Sequence, residues 1–99
     1  MIKCRQIKKK KLNKLRKSLD RIDKQLLKII KKRTKVIDSV IKIKEFKNQI
    51  VDKKRIEVIL NNIKKKSLKN NIDPKITNRI WKNMIWSYID FERRKFNKK

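Results

Sequence analysis

Apolar residues recur through the first half of the chain in alternating steps of three and four. Leu12, Leu15, Leu19, Ile22, Leu26 and Ile29 form the line. Val36, Val40 and Ile43 extend it, and Leu27, Ile30, Ile37 and Ile41 widen it into a stripe. Neither Pro nor Gly interrupts the run. The pattern predicts one amphipathic helix from about residue 12 to about residue 46. At 1.5 Å per residue such a helix is about 50 Å long. That exceeds the diameter of a compact domain of this size, so much of the stripe needs cover from outside the chain's own remainder. A two-fold dimer is the simplest cover.

The first break is Lys47-Asn48-Gln49-Ile50-Val51. Asp52 then stands where an N-cap belongs, and Ile56, Ile59, Leu60 and Ile63 give a short amphipathic helix to about Ser67. The second break is Lys69-Asn70-Asn71-Ile72. Asp73-Pro74 follows, an N-cap with Pro in the first helical position. A third helix runs to about Phe96, with Ile76, Ile80, Trp81, Ile85, Tyr88 and Ile89 inward. The expected fold class is all-α, with helices that are long, short and medium in chain order. Residues 1–11 read as a basic arm and residues 12–99 as one helical domain.

Composition narrows the chemistry. The 99 residues include no Gly and no His, and a single Cys. A Gly-rich phosphate loop, a His-dependent nucleophile and the common zinc sites are therefore excluded. Cys4 has no partner for an internal disulfide, which fits a reducing, cytoplasmic compartment. The arm lacks the apolar core of a signal peptide, and no stretch approaches a membrane span. Lys and Arg number 34 against nine Asp and Glu, a formal charge of +25. Lys, Ile and Asn make up about half of the sequence. AT-rich codons explain that bias as readily as a polyanionic partner does, so the charge alone assigns no partner.

Three residues break the apolar pattern. Arg33 falls on the helix line that carries Leu12, Leu19, Leu26 and Val40, where a charge is costly unless satisfied. Lys44 lies eleven residues on, about 20° from the same face and about 16 Å further along. A small dianion fits between two such cations. In the third helix Trp81, Ile85, Tyr88 and Glu92 share a face, which puts a scarce glutamate on the apolar side. The plain alternative is structural: a salt bridge from Glu92 to Arg33 or Lys44. Arg16 precedes Arg33 by about 25 Å of helix and about 100° of turn, so on a straight helix it cannot join that pair in its own chain, while an antiparallel dimer would allow a shared site.

These residues carry a resemblance. Leu12-Asn-Lys-Leu-Arg16-Lys-Ser-Leu-Asp20-Arg-Ile-Asp23-Lys-Gln-Leu-Leu27, then Lys32-Arg33, Lys42-Ile-Lys44 and Asp52-Lys-Lys-Arg55, resemble the all-helical chorismate mutases. Ile80-Trp-Lys-Asn-Met-Ile-Trp-Ser-Tyr88-Ile-Asp-Phe-Glu92 is similar to that family's last helix. The resemblance implies an intertwined homodimer with no cofactor and no metal. It implies that Arg16 of the partner and Arg33 hold the two carboxylates of chorismate. Lys44 and Glu92 would act at the ether oxygen, Asp52 would meet the ring hydroxyl, and Arg55 would order the loop and the anion site. Three positions depart from the common pattern. Ile56 stands where mutases have Glu, Tyr88, taken here as a substrate-binding residue, where many have Ser, and the linker from Lys44 to Arg55 is one residue short. Ile56 and Tyr88 also fit the related isochorismate pyruvate lyases, which make salicylate.

The implied reaction suits this composition. Chorismate becomes prephenate, on the route to Phe and Tyr, when one C–O bond breaks and one C–C bond forms in a single pericyclic step. No nucleophile or cofactor is needed. Arg forks hold carboxylates in bidentate fashion, and a preorganised cation stabilises charge that grows on the ether oxygen. Glu92 donates to that oxygen only when protonated. Two other classes stand beside the enzyme. A basic helical nucleic-acid binder draws on the charge and on the runs Lys8–Lys11 and Lys64–Lys66, although non-specific binding at low salt is expected of any such chain. A purely structural helical dimer explains the stripe but not the inward charges.

Overall fold

The structure, a computed structural model, describes residues 2–96, with side chains from residue 5 onward. It is all-helical, with α1 at Ile2–Ile43, α2 at Lys53–Lys69 and α3 at Pro74–Lys95. A single 3-10 turn, Lys47–Gln49, lies between α1 and α2. The chain forms two compact units, Met1–Lys35 and Val36–Lys99. Among the described residues no helix is long and apolar enough to cross a membrane. The side chain of Cys4 lies outside the described residues.

The first unit is the greater part of α1. The helix begins about ten residues before the heptad pattern does and stops at Ile43, short of residue 46. The early start has a simple cause. Residues 2–11 are Ile, Lys, Cys, Arg and Gln, mostly good helix formers, and nothing among them breaks a helix. Apolar periodicity locates a buried face and is blind to a polar helical extension. Along this unit the stripe is open to solvent in the single chain, with Leu15 64% and Ile29 59% exposed.

The second unit is an antiparallel α2–α3 hairpin with the connection from α1 packed on it. Its core is Ile50, Ile85 and Ile89, with Val51, Ile56, Ile59, Leu60 and Phe96 against them. Ile50, read from sequence as part of a break, is 4% exposed and sits at the centre of that core. The short linker thus does packing work that its polar neighbours conceal. Ile76 and Ile80 correct the expected inner face of α3, being 56% and 52% exposed. The helix turns Thr77 inward in their place, and a hydroxyl pair explains why. Ser67 Oγ donates to Ile63 O at 2.6 Å and lies 2.7 Å from Thr77 Oγ1, with both residues buried. Thr77 Oγ1 also lies 3.4 Å from Pro74 O, and either hydroxyl can donate across the pair. Two small polar residues let the helix ends close up where Ile would hold them apart.

The helix ends follow their local chemistry. Asp52 and Asp73 cap α2 and α3, accepting from the backbone N–H of Arg55 at 3.0 Å and of Lys75 at 2.9 Å. Pro74 takes the first helical position of α3, as expected. The end of α2 is a Schellman turn. The Ile72 N–H donates to Ser67 O and the Asn71 N–H to Leu68 O, with Asn71 at φ 57°. A chain without Gly uses Asn for the left-handed residue, the side chain that tolerates it best.

Candidate active site

Lys44 is the first residue after α1, and its backbone N–H still donates to Val40 O at 3.2 Å. The helix therefore fixes its direction although the helical run has ended. Its ammonium meets the carboxylate of Glu92, near the end of α3, with Nζ donating to Oε1 at 3.0 Å. The Lys44 side chain is 20% exposed and that of Glu92 8%. The sequence offered a salt bridge from Glu92 to Arg33 or Lys44 as the plain structural alternative to a substrate site, and the pair to Lys44 is present. It joins residues 48 positions apart.

The pair lies beside an open cleft of about 600 Å³ lined by Lys44, Gln49, Val51, Asp52 and Lys54, among others. Gln49 shapes its wall by accepting from the backbone N–H groups of Glu45 and Phe46, both at 2.8 Å, which holds the turn after α1 closed. Asp52 spends one carboxylate oxygen on the α2 cap, and a carboxylate has further acceptor capacity for a ligand hydroxyl. Arg55 is exposed one turn into α2. Tyr88 lies one turn before Glu92, half-buried, with its ring edge-on to Phe91 at 6.3 Å and 89°. A smaller cavity of about 300 Å³, between Leu60, Lys64, Pro74 and Thr77, holds none of the expected site residues.

The structure thus brings Lys44 to Glu92, and Lys44 and Asp52 to one cleft. The two remaining expected residues stand on the first unit, where Arg16 is exposed and Arg33 half-buried on α1. Sequence reasoning missed Gln49 and Ile50. Gln49 gave no signal because its role depends on the turn geometry. Ile50 gave a weak one, an apolar pair with Val51 in an otherwise polar linker.

The Lys44 ammonium, paired with the buried Glu92 carboxylate, and the Asp52 cap thus border one open cleft. The family model for chorismate mutase type II matches residues 15–93. The chain belongs to this family, whose activity is the isomerisation of chorismate. All seven expected site residues fall within the matched span. No curated protein and no solved structure matches the chain.

Proposed function

We propose that the protein is a chorismate mutase that converts chorismate to prephenate for aromatic amino acid synthesis, acts as a homodimer in the cytoplasm, and needs neither cofactor nor metal. The observation that carries the reading is the family match over residues 15–93, which spans every expected site residue, with Lys44 and Asp52 brought to one cleft. A positioned ammonium stabilises negative charge that grows on a nearby oxygen.

Each residue has a part in the proposed reaction. Arg33, and Arg16 from the partner, hold the two carboxylates and select the compact reactive conformer of a flexible substrate. Lys44 donates to the ether oxygen as the C–O bond breaks and negative charge grows there. Glu92 stands at the same oxygen from the α3 side, where only its neutral acid form could donate. Asp52 accepts from the ring hydroxyl while its other oxygen keeps the α2 cap. Arg55 orders the loop and the anion site, and Tyr88 borders the substrate one turn from Glu92.

The same residue types in a lyase would release pyruvate from isochorismate, and Ile56 and Tyr88 favour that second reading. One experiment separates them. Chorismate and isochorismate are each supplied to the wild type and to Lys44→Ala, and products are identified. Prephenate from chorismate, with turnover reduced about 100- to 1,000-fold in Lys44→Ala, is the expected result. Salicylate and pyruvate from isochorismate, with chorismate untouched, would replace the mutase by the lyase. Turnover unaffected by Lys44→Ala would remove the cleft from the chemistry.

A further inference from the structure

The first 19 residues hold nine Lys and Arg and no Asp or Glu, whereas the other 80 hold 25 against nine. Lys and Arg are thus nearly half of this segment and under a third of the remainder. Most of this segment precedes the family match, which begins at residue 15. It is nonetheless helical from Ile2, and the side chains of residues 5–17 are all exposed. At about 100° per residue, Lys8 to Lys11 spread over about 300° of the helix, and Arg5 and Lys14 fall between them. Cations therefore surround the segment. Ile7, Leu12 and Leu15 share their arc with Lys8 and Lys11, and no aromatic residue lies nearby, so there is no continuous apolar side to lie in a lipid surface.

A helix charged all round suits a groove whose two walls are both anionic. The major groove of duplex DNA is about 12 Å wide and admits one α-helix, with a phosphate strand on either side. We infer that residues 5–14 of α1 form a docking surface for the backbone of duplex DNA, independent of base sequence and separate from the reaction at the cleft. Lys and Arg at these positions neutralise phosphates on both walls, and counterion release supplies the affinity.

The test uses the full chain and labelled duplexes of about 20 base pairs in two unrelated sequences, followed by fluorescence anisotropy between about 50 and 200 mM salt. The wild type binds both duplexes alike. Substituting Lys8→Gln, Lys9→Gln, Lys10→Gln and Lys11→Gln together lowers the slope of log K against log salt by about 3–4. Helix content by circular dichroism controls for folding, and Arg at the same four positions restores the slope. A matched control, Lys64→Gln, Lys65→Gln, Lys66→Gln and Lys69→Gln, keeps it. Equal losses in the two Gln variants would show diffuse attraction and overturn the inference. So would failure of the wild type to bind duplex, or arm-dependent binding to phosphatidylserine vesicles at a salt concentration where duplex is not held.

Discussion

Glu92 is the counter-ion that holds Lys44 in place, and in the proposed reaction it would also have to donate to the substrate's ether oxygen. Gln offers an N–H donor at every pH and still accepts from Lys44 through its oxygen. Glu92→Gln is therefore expected to retain turnover where Glu92→Ala loses it, and equal turnover in the two variants would remove Glu92 from the chemistry. Glu92→Ala instead leaves a half-buried ammonium without its acceptor, and is expected to destabilise the fold by about 1–3 kcal/mol in urea denaturation. The pair was legible in the sequence because charges on apolar lines are conspicuous. Which cation Glu92 would choose was not, since helical spacing fixes directions within one helix and says nothing of how the next one docks.

At the scale of elements, the helices and their caps were written plainly. Asp52, Asp73 and Pro74 mark starts that the structure confirms to the residue. The inner face of α3 was not, because periodicity counts Ile76 and Ile80 as core and passes over Ser67 and Thr77, whose hydroxyls mean nothing until the two helices meet. That contact makes an asymmetric prediction. Ser67→Ala removes the short bond to the buried Thr77 hydroxyl and the donor to Ile63 O together, and is expected to cost about 1–3 kcal/mol. Thr77→Val keeps the shape and leaves Ser67 bonded to Ile63, so it costs less, about 1 kcal/mol. Equal effects would mean that the hydroxyl pair is incidental to the packing. The turn between the same helices gives a second check. Asn71 sits at φ 57°, and Asn71→Ala is expected to cost about 1 kcal/mol while Asn71→Gly is neutral or stabilising.

At the scale of the whole molecule, the stripe along α1 needs a partner. Leu15, Leu19, Ile22, Leu26 and Ile29 are all more than half exposed in the single chain, a contiguous apolar surface that a solitary protein in water seldom keeps. A second copy, as proposed, covers it and also brings Arg16 to the other chain's cleft. Arg16→Ala and Lys44→Ala chains should each be inactive as homodimers, for different reasons. Unfolded together and refolded, they exchange. In a mixed dimer one site combines the intact Lys44 of the first chain with the intact Arg16 of the second, and the other site lacks both. Random pairing makes about half of the dimers mixed, so about a quarter of the wild-type sites return. Recovery near that level would establish that the two residues act from different chains. No recovery, in a mixture that sedimentation shows to be dimeric, would put Arg16 in the same chain's site or outside the reaction, and the apolar stripe would then serve assembly alone.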